Sequence, residues 1–351
     1  MTRRLSHPLA ALRRGAALGA LLAALVPAMH ATTTRAEDLS GWKLPAVPVP
    51  ADNPQSAAKI ALGRQLAFDP RLSKNDALSC ASCHVPATGG AGLTTRAFGQ
   101  GGELGRWAPS WDNSAYSTTL FWDGRAASLE EQTGALPGHM GPITAPGEMG
   151  GDIHAVAAKL NAIPGYRKQF NAVFGSDATP QNIAQAIAAF ERSLVARNAP
   201  FQRYVNGDRT ALTPAAKRGF ALFQGKAMCI TCHTAPLLTD NAFHNIGVPQ
   251  AGPLANDPGR QGVTNDAADA GKFKTPSLYN AGSFAFYMHD GAYSTLHQVV
   301  AHYNAGGTGA PNQDPLIMPL KLSAREQDDL VAFLQSLTDP DLDRITRPEL
   351  P

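Results

Sequence analysis

Two Cys-x-x-Cys-His motifs, Cys80-Ala81-Ser82-Cys83-His84 and Cys229-Ile230-Thr231-Cys232-His233, use all four cysteines of the 351-residue chain. This pattern is the attachment signature of c-type haem. The two thiols add across the two vinyl groups, and the histidine that follows becomes the proximal iron ligand. Cys-x-x-Cys pairs also close disulfides or bind zinc, but structural zinc takes four ligands and a disulfide needs no histidine beside it. The repeated histidine points to two covalently bound c-type haems, one on Cys80, Cys83 and His84, the other on Cys229, Cys232 and His233.

The rest of the chain has to position two large apolar cofactors. Charged residues make up 17% of it, with 33 Gly and 27 Pro, a composition suited to loops wrapped around such groups. The net charge of +2 gives no electrostatic footprint for nucleic acid. Residues 1–36 read as a secretory signal peptide: Arg3, Arg4, Arg13 and Arg14 precede an Ala/Leu-rich stretch too short to span a bilayer. Small residues at Ala28, Ala31 and Ala36 offer cleavage sites; a retained anchor is the alternative. No later apolar run is long enough to cross a membrane, so no stable span is expected after processing. Since c-type haem is attached outside the cytoplasm, the expected location is a bacterial periplasm.

The context of the motifs repeats. Gly63-Arg64-Gln65-Leu66-Ala67-Phe68 precedes the first and Gly219-Phe220-Ala221-Leu222-Phe223 the second, each on an expected helix leading into a haem loop. Thr179-Pro180 and Thr213-Pro214 read as an N-cap followed by proline at the first helical position. Ser323-Ala324-Arg325-Glu326 reads as a capping box, and Pro164-Gly165 breaks the helical pattern between Ile153 and Phe174. No long alternating strand pattern occurs. Gly247–Lys272 and Ala305–Pro315 read as loops. The expected fold is mostly α, with two cytochrome c-like haem domains and long irregular loops: residues 37–205 around the first haem and 206–351 around the second.

Several segments, in order, resemble the bacterial dihaem cytochrome c peroxidases and their MauG-like relatives. They are Phe121-Trp122-Asp123-Gly124-Arg125-Ala126, Ser128-Leu129-Glu130-Glu131-Gln132, Glu148-Met149, Ala188-Ala189-Phe190-Glu191-Arg192, Phe273-Lys274-Thr275-Pro276-Ser277-Leu278 and Tyr287-Met288-His289-Asp290-Gly291. With both haem motifs they cover nearly all of the chain after residue 36. The resemblance implies that hydrogen peroxide reacts at the N-terminal haem and that the C-terminal haem transfers electrons or stores oxidising equivalents. It implies Glu148 as the distal acid/base group that moves a proton between the peroxide oxygens, Gln132 as a second distal-pocket residue, and Trp122 as the indole between the haems.

Departures from the family pattern bear on the chemistry. No histidine lies between His84 and His139, and Gln100 stands about where many members carry a histidine that blocks the reactive iron. A first haem with His84 as its one protein ligand is therefore expected. His139 belongs, with Pro137 and Met140, to an insertion between Gln132 and Glu148. For the second haem's sixth ligand, Met288, His289, His297, His302, Tyr303 and Met318 are available. The family spacing from Gly291 selects Tyr303, with His302 next. An anionic phenolate favours ferric and higher-valent iron, whereas methionine raises the potential. Trp107 stands where the family has a calcium-binding asparagine, Phe284-Ala285-Phe286 replaces the segment supplying carbonyls to the same ion, and Asn113 is the nearest substitute; calcium is put in doubt. Tyr279 stands where an arginine is usual.

The leading functional expectation is a periplasmic peroxidase that takes electrons through the C-terminal haem from a small electron-donor protein. The alternatives are a MauG-like enzyme oxidising Trp or Tyr side chains of a partner protein substrate, and a non-enzymatic dihaem electron carrier.

Overall fold

In the computed structural model of the chain, residues 38–250, 252–254 and 256–351 are described. The signal-peptide assignment lies outside them. Helices begin where the capping chemistry places them. Thr179 accepts from the Asn182 N–H ahead of Pro180–Arg192, Thr213 from the Ala216 N–H ahead of Pro214–Gln224, and Ser323 from the Glu326 N–H ahead of Ala324–Gln335. Pro164 ends one helix and opens the next, because its ring supplies no N–H for an interior turn but fits the first one.

In chain order the helices are α1 (Ala57–Phe68), α2 (Cys80–Cys83), α3 (Leu129–Gln132), α4 (Ile153–Ala162), α5 (Pro164–Phe174), α6 (Pro180–Arg192), α7 (Pro200–Val205), α8 (Pro214–Gln224), α9 (Gln261–Thr264), α10 (Leu296–Ala305) and α11 (Ala324–Gln335). Sheet is confined, among the described residues, to two antiparallel pairs of two-residue strands: β1 (Phe98–Gly99) with β2 (Gly102–Glu103), and β3 (Phe243–His244) with β4 (Phe273–Lys274). The fold is mostly α with little sheet, as the sequence led us to expect. The expected loop Gly247–Lys272 contains the short α9.

The repeated Gly-x-x-Leu and Gly-x-x-Leu-Phe segments serve one purpose in both halves. Gly63 of α1 lies so close to α6 that a Cβ there would come within 1.8 Å of the Ala186 carbonyl oxygen. Gly219 of α8 lies so close to α11 that its Cβ would come within 1.9 Å of the Asp329 carbonyl oxygen. Each glycine lets two helices cross backbone to backbone, and each crossing sits beside a haem motif. One apolar cluster forms around α1, α4, α5 and α6 and includes Leu62, Leu66, Tyr166, Phe170 and Ile183. A second forms around α8, α10 and α11 with Phe220, Phe223, Phe333 and Leu334. Leu39, Trp42, Phe201 and Val205 join the second cluster. The C-terminal segment returns to the first helix, where Arg64 donates to the Thr346 carbonyl and Gln65 to that of Glu349.

Gly219→Ala forces α8 off α11 and is expected to cost about 1–3 kcal/mol, the usual range for an overpacked site. A lowered urea midpoint with unchanged helix content by circular dichroism is the expected reading; an unchanged midpoint would show that the crossing is not under steric control.

Candidate active site

Each haem motif faces its own cavity. Cys80, Cys83 and His84 line one of about 440 Å³; Cys229, Cys232 and His233 line one of about 300 Å³. Both volumes fall in the range of cofactor pockets. All four cysteines are free of disulfides. Ser79 caps α2, so the first motif is a single helical turn that turns both thiols and the histidine toward one side. Nδ1 of His84 donates to the Gly90 carbonyl at 2.8 Å, and Nδ1 of His233 to the Leu238 carbonyl at 2.9 Å. A carbonyl only accepts, so Nδ1 carries the proton and Nε2 keeps its lone pair for a metal. Lys274 lines the second cavity with no ion pair of its own among the described residues; burial pushes its ammonium down to about 8 against the pull of Asp240. A haem propionate is a fitting counter-charge there. These residues fit haem. Cys232, Asp240 and His244 also approach one another closely enough to share a metal ion, but Cys229 is not among them, and three groups fall short of the usual zinc set.

The first cavity carries a carboxylate facing a guanidinium. Glu148, Gln132 and Arg125 all line it. Glu148 sits on a loop held by its own carbonyl, which accepts from the Gln100 N–H at 2.7 Å. Gly99 permits this contact, since a Cβ there would meet the Gly147 carbonyl oxygen at 2.0 Å. Burial raises the Glu148 carboxyl, Arg125 at 3.7 Å pulls it back down, and Asp123 pushes it up. Gln132 ends α3, and α3 is pinned by the buried pair of Glu130 with Arg192 of α6 at 2.7 Å. Among the described residues, His84 is the only histidine lining this cavity. The Gln100 amide turns to Asn75, and His139 turns outward to Glu131 at 3.7 Å. Met140 is exposed, so the insertion lies largely outside the cavity.

Two lining residues carry no role in the sequence reading. Glu191 of α6 has its carboxyl raised to about 8 by burial, with Arg192 opposing. Arg106 joins Asp123 at 2.6 Å to Asp257 at 2.7 Å. That ion pair anchors the loop that brings Leu254 against the first cavity. Glu191 was visible in the Phe-Glu-Arg segment; nothing local marked Asp257 as the ion-pair partner of Arg106.

In the second cavity Tyr303 of α10 lines the wall with Met288, His289 and Met318. Burial raises the Tyr303 phenol well above its ordinary value, so it stays neutral without a cation beside it. His302 is committed elsewhere: Nδ1 pairs with the Tyr293 hydroxyl at 3.0 Å and Nε2 donates to the Ile246 carbonyl at 2.9 Å. His297 lies on the surface against Asp328.

Trp122 and Trp107 line both cavities. The Trp122 indole N–H donates to the Trp107 carbonyl at 2.9 Å, and His289 meets the Trp122 ring edge-on at 6.4 Å. Trp122 and His289 occupy matching turns. Phe121 and Gly124 have φ of 67° and 70°, Met288 and Gly291 of 71° and 72°, and isolated bridges close both turns. The repeat thus extends beyond the haem motifs, with a signal in the sequence: Asp-Gly followed by Ser-Leu or Thr-Leu. Around Trp107 and Trp122 pack Phe273, Phe284 and Phe286, and the side-chain oxygen Oδ1 of Asn113 is taken by the Ala196 N–H. Calcium takes six or more oxygen ligands, and the rings of this cluster supply none.

Comparison with known proteins gives the family. Residues 57–210 match the family model described as di-haem cytochrome c peroxidase. The chain is 43% identical to the methylamine utilization protein MauG of Methylorubrum extorquens, over 87% of this chain and 85% of that protein. It is 39% identical to the cytochrome-c peroxidase IdrP1 of Pseudomonas sp., over 93% of each. It superposes on the crystal structure of a MauG-like protein associated with microbial copper homeostasis with a TM-score of 0.78 and 34% identity, over 87% of this chain and 97% of that one. Two cofactor-sized cavities and their haem motifs define a haem oxidoreductase. The chain belongs to the di-haem cytochrome c peroxidase family; it is an enzyme, with haem as its cofactor and hydrogen peroxide as the substrate its family implies.

Replacing Arg125 by Leu removes the cation facing Glu148. The carboxyl then titrates at higher pH than in the parent, because the ionised form loses its stabilising charge. An infrared titration of the carboxylate band checks this; an unmoved midpoint would mean Arg125 and Glu148 do not interact in solution.

Proposed function

We propose that this protein is a periplasmic di-haem peroxidase reducing hydrogen peroxide in the cavity of His84, with electrons routed through a second, covalently attached c-type haem on Cys229, Cys232 and His233. Each haem would belong to its own module, 37–205 and 206–351, with Leu39, Trp42 and α7 of the first reaching across to pack on the second. The observation that carries the reading is the group gathered at His84, where Glu148 and Gln132 line the cavity with Arg125 at 3.7 Å from the Glu148 carboxylate, while the cavity of His233 holds the buried Tyr303 phenol.

Haem bound at His84 would supply an iron with one open face for peroxide and the capacity to take up its oxidising power. The protein's part is proton handling. Glu148, ionised, accepts the proton of the oxygen nearer the metal and returns it to the farther one, which leaves as water. The Gln132 amide orients that oxygen. Arg125 keeps Glu148 available as a base despite its burial. Trp122, in the wall between the cavities, divides one long electron transfer into two shorter ones. Glu148→Gln is expected to slow peroxide reaction by about 10²–10⁴-fold, read by stopped-flow absorbance on ferric protein without pre-reduction. Wild-type protein inert to peroxide in that experiment would sink the reading.

A second reading is favoured by Tyr303. A phenol at the position selected for the second haem's sixth ligand suits storage of an oxidising equivalent, and so oxidation of Trp or Tyr side chains on a protein substrate as in MauG-like enzymes. Tyr303→Phe is expected to change the low-spin ferric EPR signal; retention of the parental signal would remove Tyr303 as a ligand.

A further inference from the structure

The repeat exposes one position where the halves differ in a way that matters for redox chemistry. Pro109-Ser110-Trp111-Asp112-Asn113 and Pro276-Ser277-Leu278-Tyr279-Asn280 are matching turns, each ending on an asparagine with left-handed backbone, φ 63° and 65°. Each follows its haem motif and lines the corresponding cavity. In the first half the third residue is Trp111, and its indole lies nearly parallel to the His84 imidazole, 13° between planes and 5.6 Å between centroids. In the second half it is Leu278, and no ring stacks on His233 among the described residues.

The backbone is arranged for that indole. Gly90, whose carbonyl holds His84, has φ 74°, and a Cβ there would lie 1.8 Å from Cδ1 and Nε1 of Trp111. In the second half the carbonyl comes from Leu238. A large ring faces a bare glycine in one half, and leucine goes with leucine in the other. Phe190 of α6 braces Trp111 edge-on at 5.7 Å. The ring is 4% exposed, and its N–H has no hydrogen-bond partner, an uncommon state for a buried donor.

Resting on the peroxidase reading above, we propose that Trp111 is a second redox-active indole, placed on the His84 side of the N-terminal centre and separate from Trp122. Reduction of one hydrogen peroxide to two waters takes two electrons and two protons. Trp111 gives one electron through the His84 stack and becomes a radical cation. The second electron comes by way of Trp122 from a one-electron donor on the side of the second cavity, and the protons come from solvent by way of Glu148. A one-electron donor, a small redox protein or an oxidisable side chain of a protein substrate, later restores Trp111.

The test is freeze-quench EPR of ferric protein after stoichiometric peroxide. In Trp122→Phe protein an organic radical is expected, narrowed when the protein is grown with indole-deuterated tryptophan. Adding Trp111→Leu, which installs the residue of the matching turn, is expected to abolish it. The ferric spectrum before peroxide reports whether His84 still binds iron. Should the double variant not assemble, Trp107→Phe/Trp122→Phe protein decides: Trp42 lines neither cavity, so the radical must persist on Trp111. Absence of a tryptophan radical from Trp122→Phe protein, or its survival in the double variant, overturns the proposal while leaving the peroxidase reading intact. Wild-type protein that does not react with peroxide overturns both.

Discussion

A main-chain carbonyl takes the Nδ1 proton of each haem-motif histidine, Gly90's for His84 and Leu238's for His233. That bond selects the nitrogen left for iron and fixes the ring about its own axis. The loops around it are shaped to deliver the carbonyl: Gly90 and Leu238 both adopt left-handed backbone, which costs little for glycine and is uncommon for leucine. The crossings of α1 with α6 and of α8 with α11 hold the helices that end at these loops. Without the crossings, neither histidine would have a fixed wall to face.

On this shared frame the two cavities diverge in electrostatics. The first collects Glu148, Glu191, Arg106 and Arg125, two carboxyls raised by burial beside two cations. The second holds a neutral buried phenol, thioethers and Lys274. Glu148 faces Arg125 in the first cavity, whereas Asp112, His244 and His289 accompany Tyr303 in the second. Between them Trp107 and Trp122 form an aromatic wall with Phe284 and Phe286, in the place where oxygen ligands for an ion were in question. Oxidisable rings bridge the cavities there, and the partition stays apolar.

Local signals were legible from the chain alone. The caps at Thr179, Thr213 and Ser323, the break at Pro164 and the two haem motifs depend on neighbours a few residues away, so their chemistry is written in consecutive letters. The directions of side chains on loops were not. Gln100, about where a blocking histidine was looked for, points to Asn75, and His139 points to Glu131. His302, adjacent to Tyr303, is withdrawn by partners at Tyr293 and Ile246. The Arg106–Asp257 pair joins residues far apart in the chain. Each of these depends on which distant segment arrives beside the residue, and no window of sequence contains that.

By itself the sequence determined the helical character and the repeat of a Cys-x-x-Cys-His motif behind a glycine-bearing helix, because such motifs and helix caps are short-range and tolerate little variation in residue type. Only the tertiary structure decided how the two units differ. Burial raised Glu148 and Tyr303, the bare backbone of Gly90 admitted Trp111 onto His84, and the crossing of α1 with α6 brought Glu191 to the first cavity and Phe190 against Trp111. Desolvation and close packing are properties of a filled volume, and that volume exists only after the chain has folded.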